Sequence, residues 1–207
     1  MTSNRHNRTA ARTADDTVLD AARDCVLAVG VRRTTLTDIA RRAGVSRMTL
    51  YRRWPDVRTI VADLMTREWT AIGDALRPLD DGRPVRPRLV DGLVTGVRTF
   101  RDHPLLRKII EVDPELLLPY LLDRCGASQR AFLAGFEESI SAGQRDGTIR
   151  AGVPAHQARA LLLVVQSFGL SAQIMIDARE PGVGADALDA DALDAELRHI
   201  LERMLAP

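Results

Sequence analysis

Residues 34–60 read TTLTDIARRAGVSRMTLYRRWPDVRTI, and this stretch decides the fold. Thr35 is followed three residues later by Asp38, which resembles a capping box, so a helix opens at Thr35. Ile39, Ala40 and Ala43 supply its inner face. Gly44 interrupts the pattern and allows a tight turn. Ser46 can cap the next helix, which carries Arg47, Met48, Thr49, Leu50, Tyr51, Arg52 and Arg53. The stretch from Leu36 to Trp54 is therefore helix, short turn, helix. Ala40 is small where two helices cross closely, while Ile39, Val45 and Leu50 set the angle between them. The second helix offers Arg47, Thr49, Tyr51 and Arg52 to a DNA major groove, with Leu50 and Trp54 left for the core.

Towards the N-terminus, Val18, Ala22, Cys25, Val26 and Val29 recur at helical spacing, so residues 15–29 form an amphipathic helix that Gly30 ends. Residues 1–14 place Arg5, Arg8 and Arg12 among Ser, Asn and Thr, which predicts a flexible basic arm able to reach a minor groove or phosphates. The charge is unevenly spread. Residues 1–58 hold twelve arginines against six acids, a net of +6; the remainder holds 17 basic and 22 acidic residues, a net of −5. The total of +1 thus hides a segment that attracts phosphates beside one that does not.

The matching features of residues 34–60 are Thr35, the Asp38-Ile39-Ala40 triplet, Ala43-Gly44-Val45-Ser46, the Leu50-Tyr51 pair and Trp54. In these the chain resembles the TetR family of transcriptional regulators over residues 15–69. The resemblance implies that the third helix enters the major groove of an operator. Arg47 is then the candidate base contact, since arginine pairs bidentately with guanine. Met48 and Thr49 can touch a thymine methyl, Tyr51 donates to a phosphate, and Arg52 and Arg53 meet phosphates or flank the groove. Thr35 and Thr37 lie at the start of helix two, where backbone N–H groups bind phosphate, and Ser46 opens helix three. Many family members carry a lysine at the start of the fourth helix. This chain has Val57 there, with Arg58 as the neighbouring cation.

Beyond residue 58 the sequence predicts only helices. Asp56 caps a fourth helix running to about Leu76, and residues 78–87 form a Pro, Gly and Asp-rich break. Further helices are expected over residues 89–100, from Pro104 to the Asp113-Pro114 pair, over 114–122 with an interruption or redirection at Pro119, and over 128–146, 154–178 and 188–205, with a loop over 180–184. Residues 160–176 are apolar nearly all round, more than one core can cover. Leu193, Leu197, Ile200 and Met204 repeat at spacings of 4, 3 and 4 after a short DALDA duplication over residues 186–195. The family pairs its last two large helices across a homodimer, which implies Leu163, Gln166, Leu170, Ile174, Leu193, Leu197, Ile200 and Met204 as interface positions. A dimer also sets two recognition helices about 34–36 Å apart, matching successive major grooves. The family encloses a small-molecule effector between its middle helices. The candidate lining residues are Met65, Trp69, Phe100, His103, Tyr120, Phe132, Phe136 and Phe168, which suit an apolar or weakly polar ligand.

The expected architecture is all-α: a basic arm (1–14), a three-helix helix-turn-helix DNA-binding domain (15–58) and a larger helical ligand-binding and dimerisation domain (59–207). The expected function is a repressor that binds a palindromic double-stranded DNA operator as a homodimer and is released by an effector. A helical protein-interaction regulator without an effector and a helical enzyme are the alternatives. The enzyme reading lacks a pair of ExxH motifs, HExxH, GxSxG and a P-loop, so no catalytic residue and no cofactor are expected. His6, His103, His156 and His199 share no ligand spacing, and Cys25 and Cys125 stand far apart, so neither a metal site nor a disulfide is expected. The first 16 residues lack an apolar stretch and the longest uncharged segment has 17 residues. A cytoplasmic chain without a membrane partner is therefore expected.

Overall fold

Glycine and proline set the helix boundaries. The computed structural model describes residues 3–75, 81–177 and 189–207, with the backbone alone for residues 3–14 and 177. Among these residues the secondary structure is helical throughout, with no strand. Helix α1 (Ser3–Val29) contains neither Gly nor Pro and ends at Gly30, whose φ is +80°. Nothing in residues 3–14 stops a helix, and the backbone there is helical rather than an irregular arm.

Helix α2 (Leu36–Ala43) opens on Thr35, whose hydroxyl accepts from the Asp38 N–H and donates to the Asp38 carboxylate. It closes on Gly44 at φ +68°, with the Val45 N–H donating to the Ala40 carbonyl at 3.1 Å. That left-handed stop costs least at glycine. Helix α3 (Arg47–Arg53) is capped by Ser46, which accepts from the Thr49 N–H. Helix α4 (Val57–Ala75) opens on Asp56, which accepts from the Thr59 N–H at 2.7 Å.

Helix α5 spans Val85–Arg101 and α6 spans Pro104–Val112. The short helix expected over 114–122, interrupted or redirected at Pro119, is two pieces, a 3₁₀ turn (Pro114–Leu116) and a π turn (Pro119–Asp123). Pro119 has no N–H to continue an α-helical ladder, so the run is broken there. Helices α7 (Ala127–Arg145), α8 (Pro154–Asp177) and α9 (Ala190–Leu205) complete the chain. The expected loop over 180–184, the start of the DALDA duplication and the first part of the 78–87 break lie outside the described residues.

Two compact units result. One comprises the chain up to Glu68 together with His103–Cys125; the other comprises Trp69–Asp102 and the chain from Gly126 onward. In the first unit α1 packs on α2 and α6, and α2 on α3. Its buried side chains include Val26, Ile39, Leu50, Ile60, Leu64 and Ile109. In the second unit one core joins Leu89, Val90, Leu93 and Val97 of α5 to Ile140 of α7, Leu161 of α8 and Leu197, Leu201 and Leu205 of α9. Each fully buried Leu or Ile contributes about 1.5–3 kcal/mol, and leucine and isoleucine supply the volume that a chain with 4% aromatic residues cannot take from rings.

A buried ion cluster links α5 to α9. Asp194, 3% exposed, accepts from both Arg98 and Arg101. Burial pushes its carboxyl pKa up, and the two guanidinium hydrogen bonds outweigh this and hold it below the usual value.

Candidate nucleic-acid interface

Helix α3 is anchored by one row and exposed on the other. Leu50 is buried, and the Trp54 indole just beyond the helix is buried too, donating Nε1–H to Asp63 at 2.8 Å. Both are core, as their spacing predicts. The opposite row is open: Arg47, Thr49 and Arg52 are exposed, Met48 is 78% exposed and Tyr51 45%. An exposed Met and Tyr between arginines on a helix held this firmly form a surface suited to base edges and phosphates.

The arginines of the first unit divide by partner. Arg41 pairs with Asp38, Arg42 with Asp24, Arg32 with Glu115 and Arg23 with Glu68. Arg53 was expected among the DNA contacts. Its guanidinium reaches back to Asp15 at 3.4 Å and lies 5.3 Å from the Trp54 ring centre. Arg47 and Arg52 make no ion pair among the described residues, so the uncompensated charge of α3 sits on its exposed row. Arg58 is exposed and lies near Glu115, whose carboxyl is held below its usual pKa first by the Arg32 hydrogen bond. Thr35, Thr37 and Ser46 are exposed at helix starts. The Thr35 and Ser46 hydroxyls are occupied in capping, and Ser46 also shares a 2.8 Å hydrogen bond with the Thr49 hydroxyl.

The turn between α1 and α2 is fastened from a distance. Asp113, 1% exposed, accepts the Val31 N–H at 2.7 Å and lies 3.4 Å from Arg32 Nε. Glu115 takes two hydrogen bonds from the same guanidinium. Gly30 is needed for both its positive φ and its space, since a Cβ there would meet Val112 Cγ1 at 2.9 Å. The sequence marks Asp113-Pro114 as a helix end, and no local pattern shows that its carboxylate serves a backbone group 82 residues away.

The effector candidates fall into both units. In the first, Met65 is buried, and Tyr120 is half-buried beneath the Arg124 guanidinium. His103 makes no side-chain cap for α6; its Nε2 lies 3.3 Å from Glu68 Oε2. The Glu68 carboxyl is lowered to about 2, first by the His103 hydrogen bond and then by Arg67, against the burial that would raise it. In the second unit the Trp69 and Phe100 rings meet edge to face at 4.9 Å, and Phe132 and Phe136 stack at 6.3 Å. Gly73 and Gly169 leave room for the Phe132 and Phe100 rings respectively, and Phe136 and Phe168 pack on the core.

The expected interface residues separate likewise. Leu163 is 69% exposed and Ile174 65%, and Ile200 is exposed as well. Leu170 and Leu193 are half-buried. Gln166 accepts from Gln129 at 2.7 Å. Leu197 is fully buried in its own chain, and Met204 packs on the same core, because a 4, 3, 4 stripe on α9 faces α5 and α8 first. Within its own chain Leu197 is thus a core position, and Met204 is half-buried against that core. Helix α8 also exceeds the 17-residue uncharged segment. By length and composition, Pro154–Ile176 is long and apolar enough to cross a membrane. Among the described residues no cluster of three or more His, Cys, Asp or Glu could hold a metal. Cys25 and Cys125 are free thiols, and burial raises the Cys25 pKa.

Comparison with known proteins matches this geometry. The family model for bacterial regulatory proteins of the tetR family matches residues 18–64. An uncharacterised HTH-type transcriptional regulator of Mycobacterium tuberculosis is 38% identical over 188 residues, covering 91% of this chain and 92% of the relative. Among solved structures, the Rhodococcus erythropolis repressor QsdR aligns with a TM-score of 0.66 at 15% identity, over 94% of this chain and 95% of QsdR. SmeT, a repressor from Stenotrophomonas maltophilia solved in complex with triclosan, aligns at 0.62 and 20% identity, over 94% of this chain and 92% of SmeT. The chain therefore belongs to the TetR family of bacterial transcriptional regulators, with a helix-turn-helix DNA-binding domain at its N-terminus.

Proposed function

We propose that this regulator is a cytoplasmic repressor that binds a palindromic operator as a homodimer and leaves it when a small, largely apolar effector binds. The observation that carries the DNA reading is the exposed α3 row, in which Arg47 and Arg52 have, among the described residues, none of the acidic partners that occupy Arg41, Arg42 and Arg53. Arg47 reads a base, Met48 and Thr49 touch neighbouring base edges, and Tyr51 and Arg52 hold phosphates. Thr37 and Arg58 flank that contact. Arg53 and the hydroxyls of Thr35 and Ser46 act by holding the helices.

The dimer reading rests on the exposed apolar row of Leu163, Ile174 and Met175 on α8 with Ile200 on α9. A second copy of the same row is the self-complementary partner that a two-fold operator requires. The effector reading rests on the rings of Trp69, Phe100, Phe132, Phe136 and Phe168 in one unit. It is supported by SmeT, a protein of similar fold that binds triclosan. An effector lowers DNA affinity by as much as it prefers the conformation that cannot bind DNA.

Selection of bound sites from random duplex DNA tests the reading. The expected result is a two-fold symmetric site. Arg47→Ala should cost about 1–3 kcal/mol per half-site, with relaxed preference at one position. Arg53→Ala should leave that preference unchanged. Recovery of no sequence preference would overturn the proposal.

A further inference from the structure

Residues 30–35 join α1 to α2, and the turn is closed mostly on itself. The buried Thr34 side chain donates its hydroxyl to the Gly30 carbonyl at 2.7 Å, and the Thr34 N–H donates to the Val31 carbonyl at 3.1 Å. Thr35 then caps α2. The Val31 N–H leaves this pattern and donates to Asp113 Oδ2, at the C-terminal end of α6. Asp113 is itself fixed in place. Its N–H donates to the Ile109 carbonyl at 2.9 Å, its carbonyl accepts from the Leu116 N–H at 3.1 Å, and Leu105, Leu106 and Ile109 are fully buried. Its second oxygen, Oδ1, is buried and makes no hydrogen bond among the described residues; the Arg32 guanidinium at 3.4 Å is the charge set against it. An apolar side chain in that place would avoid the cost of burying a charge. What an apolar side chain cannot do is fix the direction of the Val31 N–H, and with it the entry of the chain into α2.

We propose that Asp113 is a positioning residue for DNA binding: through the Val31 N–H it sets the turn that aims the start of α2 and, because α3 packs on α2, the exposed row of α3. The inference rests on the reading of α3 as the DNA-facing helix. Asp113 lies outside residues 18–64, so the helix-turn-helix does not fix its own geometry. Glu115 has a different part. The two hydrogen bonds it takes from Arg32 end on a side chain that is 70% exposed, and not on the backbone of the turn. A turn freed at Val31 leaves every arginine in the chain, so attraction to any duplex survives while the fit to one site does not.

The test compares the full chain with Asp113→Ala, Asp113→Asn and Glu115→Ala. Affinities for the selected site and for random duplex are measured at a temperature where circular dichroism shows each variant folded. Asp113→Ala should lower the ratio of the two affinities at least about tenfold per half-site, as loss of one hydrogen bond to a charged acceptor implies, with the salt slope on random duplex unchanged. Asp113→Asn keeps an oxygen for the Val31 N–H and should keep most of the ratio. Glu115→Ala should leave the ratio as it is. A role in stability alone would lower the folded fraction and leave the ratio of the folded protein untouched. An unchanged ratio in Asp113→Ala therefore overturns the inference, as does a loss in Asp113→Asn or Glu115→Ala as large as in Asp113→Ala. Should Asp113→Ala not fold, hydrogen exchange in the unmodified chain decides. Coupling between the turn and the site is reciprocal, so the selected site should slow exchange of the Val31 amide about tenfold more than random duplex does. Equal protection by the two DNAs overturns the inference. If the unmodified chain prefers no site, the reading of α3 fails, and that outcome is distinguishable because no variant then has a preference to lose.

Discussion

Gly30→Ala is the substitution whose cost the structure specifies most fully, and Gly44→Ala is its internal control. Both glycines are left-handed, at φ +80° and +68°. An alanine in that region costs roughly 1–2 kcal/mol. At Gly44 nothing lies within 4 Å of the added carbon, so the conformational cost is the whole cost. At Gly30 the carbon would come within 2.9 Å of Val112 Cγ1 and 3.1 Å of Asp113 Oδ2. Val112 is exposed and can turn aside. Asp113 is buried, and the same Oδ2 holds the Val31 N–H at 2.7 Å. Displacing that carboxylate costs a hydrogen bond to a charged acceptor, about 1.5–3 kcal/mol. Gly30→Ala should therefore lose about 2.5–5 kcal/mol and Gly44→Ala about 1–2. Hydrogen exchange measured by mass spectrometry over the α1–α2 turn separates the two. The Val31 amide should exchange roughly ten- to a hundredfold faster in Gly30→Ala and stay near the unmodified rate in Gly44→Ala, at 1.4 kcal/mol per factor of ten. Equal losses of stability in the two variants, or a Val31 amide unaffected by Gly30→Ala, would refute the close-approach argument.

Two further outcomes follow from side-chain placement. Glu68 has a folded pKa of about 2 against an ordinary 4.5, so its ionised form adds stability that is fully present above pH 4.5 and is lost as pH falls towards 2. Urea midpoints for Glu68→Gln should lie below those of the unmodified chain at pH 6 and converge with them near pH 2; parallel curves would show that the His103 and Arg67 contacts do not stabilise the charge. The double change Leu163→Glu with Ile174→Glu places acids on the exposed α8 row without touching the buried core. Sedimentation should show a monomer with unchanged helix content, and a persistent dimer would place the interface elsewhere.

The parts legible in the sequence are those written in adjacent residues. Thr35 with Asp38, Gly44, and Ser46 with Thr49 are local devices, and each forms the cap or turn its spacing implies. Buried Leu50 and Trp54 with exposed Arg47 and Met48 follow from helical periodicity alone. What was not legible depends on partners distant in sequence. Arg53 looks like Arg52 until Asp15 is found beside it, 38 residues earlier. His103 looks like an effector contact until Glu68 is placed against it. Leu197 and Ile200 belong to one apolar stripe, yet α5 and α8 cover the first and leave the second exposed. Periodicity shows that a face is apolar and cannot say whether the same chain or another one covers it.

The same distinction changes what the charge of the basic segment means. Twelve arginines against six acids suggest a diffuse attraction to phosphate. Arg23, Arg32, Arg41, Arg42 and Arg53 are each set against a carboxylate, two of them on Glu68 and Glu115, beyond the basic segment. Those on the surface, Arg41–Asp38, Arg42–Asp24 and Arg53–Asp15, contribute about 0–1 kcal/mol each, too little for stability to be their main effect. Their effect is on the field. They neutralise the flanks of the helix-turn-helix, whereas Arg47 and Arg52 of α3, like Arg33 and Arg58, make no ion pair among the described residues. A cationic surface thinned in this way favours fewer orientations on DNA than an even coat of arginine would. Removing a carboxylate such as Asp24 should therefore raise affinity for random DNA more than for the operator, which lowers specificity while leaving every α3 contact intact.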